Sequence, residues 1–269
     1  MIEFEGNTLY LNLLDTNAIS EIVKNEESRT NYFNWSGKNN QLICFTPWSL
    51  LELRKDSRVY STFQEIFSIV PCFMIKPYYH ILKEEINNYP NIDHVDPIIF
   101  TFDPFNEKVE RRLKYILNTL FTNSQILGSE FEWDNNWKTQ VLNSILSLKS
   151  NFEPKNNYDS SDANRFVKKA LPNYIHSQFP NKIVNDTIDP GPFKSVRLLL
   201  YVIFYRFYSE NRNPEPQDIF DLMINAATPY MDSAIVEKFQ AEIFKKIRNN
   251  SVLPATFDIR TLKDLRGKK

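Results

Sequence analysis

A short, mostly apolar run, Leu9 to Leu14, stops at Asp15 and gives way to apolar residues at helical spacing, Ala18, Ile19, Ile22 and Val23. A run that short and that apolar reads as a buried strand, and the new period as a helix packed on it. The alternation then repeats. Leu42 to Phe45 is a second strand candidate, after which Thr46 offers an N-cap and Pro47 the first helical position of a helix carrying Leu50, Leu51 and Leu53. A helical stretch from Val59 to Val70 leads to a third run, Phe73 to Ile75. Repeated strand and helix predict a parallel sheet with helices on its faces, an α/β fold. With 269 residues, 42% of them hydrophobic, the chain can form one large domain or a compact domain with an insertion.

From about Pro90 to Pro190 the pattern becomes helical, over Val109 to Phe121, Trp137 to Leu148 and Ala163 to Phe179, with Asn-, Pro-, Asp- and Ser-rich loops between. Val196 to Tyr208 is a strongly apolar helix, Asp218 to Thr228 another, Ser233 to Val236 a short strand and Phe239 to Ile247 a helix. Ser251 to Arg260 can add an edge strand. The expected division is an α/β domain formed by 1–89 and 196–269, interrupted by a mostly helical insertion over 90–195.

Only five glycines occur, with no G-x-G-x-x-G and no G-x-x-x-x-G-K-[ST] pattern, which argues against a Gly-rich phosphate loop. Cys44 and Cys72 are the only cysteines and sit among apolar neighbours, so a reducing, cytoplasmic setting is expected. No signal-peptide pattern is seen, and the longest apolar run, Leu198 to Tyr205, is too short to span a bilayer; a soluble protein without membrane contact is expected. His80, His94 and His176 lack paired zinc spacing, and Asp93-His94-Val95-Asp96 reads as a solvated loop. No nucleophile elbow supports serine chemistry, and Asn17 stands where a haloacid-dehalogenase-like phosphatase needs its second Asp. A net charge of −1 neither supports nor excludes nucleic acid.

The acidic residues carry the functional signal. Asp15 lies at the carboxyl end of the first strand, where open α/β sheets place ligands, with Asn17 near enough to orient it; as a plain alternative, Asp15 caps the next helix. Glu52, one turn into the helix after the second strand, can reach the same strand ends, or else faces solvent beside Arg54 or Lys55. Asp218, Asp221 and Asn225 share a helix face, with Asp218 expected mainly as the N-cap and Asp221 at the capping-box position or in the chemistry. Asp232 and Glu237 bracket the last strand near its opposite ends, so both are not expected on the same metal directly; Glu237, at the carboxyl end, is the better placed to join Asp15, and Asp232 starts the strand or completes a loop. Several hard oxygen ligands of this kind suit Mg²⁺ or Mn²⁺.

Leu11-Asn12-Leu13-Leu14-Asp15-Thr16-Asn17-Ala18-Ile19 resembles the first motif of PIN-like nucleases, and Thr46-Pro47-Trp48-Ser49-Leu50-Leu51-Glu52-Leu53 the second. Pro216 to Leu222, Pro229-Tyr230-Met231-Asp232 and Ala234 to Phe239 resemble the family's C-terminal part, although Val236-Glu237 stands where members often show Thr-Asp. The resemblance covers roughly the first ninety and last seventy residues. It implies a three-layer α/β/α PIN-like fold and a metal-dependent endonuclease. Its catalytic residues are then Asp15, Glu52, Asp221 and Glu237. The same residues plus Asp232 are the implied metal ligands, with Asn17 and Asp218 supporting them. RNA rather than DNA is the implied substrate, many members being ribonucleases and often toxins held by an inhibitor protein; dimers are common. The contrasting expectation is a catalytically silent scaffold that binds RNA or a protein. Basic residues at Arg111, Arg112, Lys114, Lys168, Lys169, Lys245, Lys246 and Arg248, with Trp133, Trp137 and Phe166 nearby, offer a nucleic-acid grip or plain solvated faces.

Overall fold

The computed structural model describes residues 1–4, 6–92, 95–109, 112–122, 135–150, 155, 157–179, 188–248, 250 and 252–266. Strands β1 (Ile2–Phe4), β2 (Asn7–Leu14), β3 (Gln41–Phe45), β4 (Cys72–Ile75), β5 (Ile98–Phe102), β6 (Ser233–Val236) and β7 (Asp258–Thr261) form one sheet. Their order is β5-β4-β3-β2-β6-β7, with β1 paired antiparallel to the amino half of β2. The ladders joining β2 to β3, β3 to β4, β2 to β6 and β6 to β7 are parallel, and β5 closes the edge antiparallel to β4.

Alternate residues of the central strands enter two separate cores. Leu11, Leu13, Cys44, Ala234 and Val236 face one; Leu14, Ile43, Phe45 and Ile235 face the other. Both faces of a parallel sheet must be covered, which is why the carboxyl halves of these strands are mostly apolar on both faces, with Asn12 and Ser233 as buried exceptions bonded to each other. Helices α1 (Thr16–Lys24), α2 (Glu26–Lys38), α4 (Ser57–Phe67) and α6 (Leu113–Thr122), with the short α12 (Leu262–Leu265), cover the second face. The first face carries α5 (Tyr78–Asn88), α7 (Asn135–Ser150), α8 (Ser160–Gln178), α9 (Lys194–Ile203), α10 (Asp218–Asn225) and α11 (Lys238–Arg248). Helix α3 (Pro47–Leu53) straddles the seam, Trp48 in one core and Leu50 and Leu53 in the other. Thr46 caps α3 and Pro47 opens it, as their chemistry requires.

This topology creates a switch point. The helices after β2 lie on one face and the helix after β6 on the other, although β2 and β6 are hydrogen-bonded neighbours. Crossovers leaving in opposite directions open a crevice above the carboxyl ends of the two strands, where α/β proteins place ligands.

Several elements differ from expectation. The middle segment holds a strand, β5, besides its helices, and its apolar residues enter both cores. Helix α2 escapes a periodicity search because it is polar almost all round and buries only Ser28, Tyr32 and Ser36; Asn25 caps it and Glu26 and Glu27 favour its amino end. In α5 the apolar stripe is interrupted by Glu85, which is fully buried. The expected helix 196–208 becomes a π turn over Phe204–Tyr208, and 218–228 ends at Asn225 before a 3-10 turn, Thr228–Tyr230. Among the described residues no helix is long and apolar enough to cross a membrane.

Candidate active site

Asp15 follows β2 and is the N-cap of α1, and its two carboxylate oxygens are bonded on either side of the crevice. Oδ1 accepts the Ala18 amide at 2.6 Å, and Oδ2 accepts the Glu237 amide at 3.0 Å across the switch point. It therefore caps α1 and stitches the ends of β2 and β6 together. Burial pushes its carboxyl up to about 7, offset by those two amides and reinforced by the charges of Glu237 and Asp221. Glu237 is exposed and is held by Asn17, whose Nδ2 donates to Oε1 at 2.5 Å. Asn17 thus orients Glu237 rather than Asp15.

Glu52 does not face solvent alone. It accepts the hydroxyl of Thr16, the neighbour of Asp15. Burial raises its carboxyl, and Asp221 and Glu237 push the same way against the Thr16 hydrogen bond and Lys55. Asp221, on α10, is raised by burial and held down by Arg206, which donates to it. Burial raises all three carboxyls, and Asp221 adds to the rise of both Asp15 and Glu52.

Arg206 was not legible as a site residue. It lies in the π turn, where the Ser209 amide donates to the Phe204 carbonyl in an i to i+5 bond, and its side chain lines the cavity. Such turns recur at functional sites. Its Nε donates to Asp218 at 3.1 Å and its Nη1 to Gln240 Oε1 at 3.3 Å, while Nη2 bridges Asp218 and Asp221. Asp218 is fully buried and also takes Arg212 at 2.9 Å and the Glu215 amide at 2.7 Å. The expected capping role is corrected: Gln217 is the N-cap and makes no side-chain cap, while Asp218 anchors two arginines. Asp221 is correspondingly no member of a capping box.

Asp15, Asn17, Arg206, Asp221, Asn225 and Glu237 line one small cavity of about 20 Å³, enough for a single water or ion. The donor set suits a hard divalent cation: carboxylate oxygens, plus Asn225 Oδ1, which is buried without a hydrogen-bond partner. Among the described residues, however, no three His, Cys, Asp or Glu side chains are grouped so as to hold a metal as they stand.

Asp232, expected among the ligands, lies elsewhere. It precedes β6 at the opposite end of the strand, where Oδ2 accepts the Leu11 amide at 2.8 Å and the Met1 amino group at 2.7 Å. A four-residue strand spans the sheet, so both ends cannot reach one ion. Phe166 is buried and cannot stack on a base, and Lys245 and Lys246 pair with Glu242 and Glu210. Arg112, Lys114, Lys168 and Lys169 are exposed. Asp93, His94, Arg111, Trp133 and the side chain of Trp137 lie outside the described residues. Comparisons with family models, curated proteins and solved structures find no match to this chain.

Proposed function

We propose that this chain is a PIN-like, metal-dependent nuclease that hydrolyses phosphodiester bonds, in RNA ahead of DNA. The observation that carries the reading is the meeting of Asp15, Asp221 and Glu237 at one cavity of the switch point, with Glu52 hydrogen-bonded to Thr16, which also lines that cavity. Asp15, Asp221 and Glu237 would hold Mg²⁺ or Mn²⁺, with Glu52 completing the set. A bound ion would supply Lewis acidity at phosphorus and a water of lowered pKa. Asn17 holds Glu237, the Ala18 and Glu237 amides fix Asp15, and Asp218 fixes the buried Arg206 beside Asp221. A toxin or defence role under an inhibitor protein, and a homodimer, accompany the family resemblance.

The test is cleavage of labelled mixed-sequence RNA and its DNA counterpart with Mn²⁺, Mg²⁺ or EDTA, wild type beside D15N. Metal-dependent cleavage lost in D15N supports the reading; cleavage that survives the substitution refutes this site. A second reading, a non-catalytic scaffold for RNA or protein, is favoured by Arg206 already neutralising Asp221 and by the absence of a ready chelating group among the described residues. Folded protein that binds nucleic acid yet never cleaves it would select the scaffold.

A further inference from the structure

A second cavity, of about 360 Å³, lies at the amino ends of β6 and β7 and shares no lining residue with the carboxylate cavity. Lys194, the first residue of α9, and Arg248, the last of α11, line it with Pro229, Leu253, Pro254 and Ala255. Pro229 belongs to the turn before β6, and Leu253 to Ala255 to the connection from α11 into β7.

The charges in this cavity are one-sided. Among the described residues that line it none is acidic, and neither Lys194 nor Arg248 has a carboxylate within salt-bridge distance. Arg248 is held in place by its Nη2, which donates to the Phe257 carbonyl at 2.6 Å, while its Nε is buried without a hydrogen-bond partner. A guanidinium carries five N–H donors, so donors remain for an acceptor that the chain does not supply. Lys194 is exposed, its Nζ 5.8 Å from the centre of the Tyr230 ring. Glu85, which accepts the Tyr230 hydroxyl, is fully buried and does not line the cavity.

Two uncommitted cations match a dianion better than a single carboxylate, and an arginine fork beside a lysine point charge suits phosphate oxygens. The other walls are apolar. The volume falls at the lower end of the ~300–1,000 Å³ of ligand pockets, which leaves room for more than a bare phosphate. We infer that this cavity binds a small phosphate monoester, its dianionic head on Arg248 and Lys194 and a compact apolar body against Pro229, Leu253 and Pro254. The site does not depend on the chemistry proposed for the carboxylate cavity.

The test is calorimetric titration of the full chain with phenyl phosphate, beside inorganic phosphate, benzoate and phenol. Phenyl phosphate should bind more tightly than each of the other three, by about tenfold or more, because it alone carries both the dianion and the ring. K194A should weaken it about ten- to 150-fold, the range for a hydrogen bond to a charged group, and R248K should lose a comparable factor by exchanging the fork for a point charge. Lys194 is exposed and makes no ion pair, so K194A should unfold at the wild-type urea concentration and its loss of binding is not a loss of fold. No binding of phenyl phosphate, inorganic phosphate bound as tightly, or wild-type affinity in both K194A and R248K overturns the proposal. Poly(U) bound more tightly than phenyl phosphate, with that affinity lost in K194A, overturns it too and gives the cavity to a nucleic-acid backbone.

Discussion

Glu85 is a carboxyl in the wrong solvent, and its titration should govern much of the pH dependence of stability. It is fully buried on α5 and accepts the Ser195 amide at 2.6 Å, the Val196 amide at 3.3 Å and the Tyr230 hydroxyl at 2.5 Å. It thereby satisfies the amino end of α9, whose N-cap residue makes no side-chain bond. Those three donors lower its pKa, but burial outweighs them and raises the carboxyl from 4.5 to about 7. The sign follows from linkage. Below 4.5 the group is protonated folded and unfolded; between 4.5 and about 7 only the unfolded chain ionises, so stability falls as pH rises; above about 7 both are ionised and the loss is complete. At about 1.4 kcal/mol per pH unit, the window from 4.5 to about 7 amounts to ~3 kcal/mol. Asp15 is raised into the same range, so the wild-type profile alone does not isolate Glu85. The difference between wild type and E85Q does, because Asp15 is common to both. Urea unfolding between roughly pH 5 and pH 8 should show E85Q gaining on wild type by ~2–3 kcal/mol as pH rises. A difference that stays constant with pH would mean that the amides and Tyr230 hold Glu85 ionised throughout, refuting the burial argument.

Removing the guanidinium in R206M should cost about 3–5 kcal/mol, since Asp218 stays buried with Arg212 as its remaining cation. R206M with D218N should recover part of this in a urea double-mutant cycle, whereas a single-variant cost under ~1 kcal/mol would show the pair to be worth little. D15N should cost about 1–3 kcal/mol near pH 6, because Asn keeps the oxygen that caps α1 but sets an amide nitrogen against the Glu237 amide, while abolishing cleavage; cleavage retained by folded D15N would reduce Asp15 to a structural role. D232A should cleave like wild type and lose about 1 kcal/mol in denaturation, as the Leu11 amide loses its acceptor. A cleavage defect in stably folded D232A would return Asp232 to the site.

The local elements around the site were legible because each is set by neighbours in sequence. The apolar carboxyl half of β2 running up to Asp15, the Thr46-Pro47 start of α3 and the short β6 follow from strand periodicity and capping chemistry that need no tertiary partner. The separation of Asp232 from Glu237 follows equally from strand length. What needed the folded chain were the pairings across long intervals. That Asn17 would hold Glu237, that Thr16 would hold Glu52, and that β2 and β6 would be neighbours depend on how crossovers pack, which no local period encodes. Arg206 and Glu85 are the clearest cases. Each is a charge within an apolar helical stripe, and sequence patterning reads such a charge as an interruption. Only tertiary packing supplies Asp218 and Asp221 to one, and the open end of α9 to the other, because a buried charge is tolerated where partners from distant segments converge.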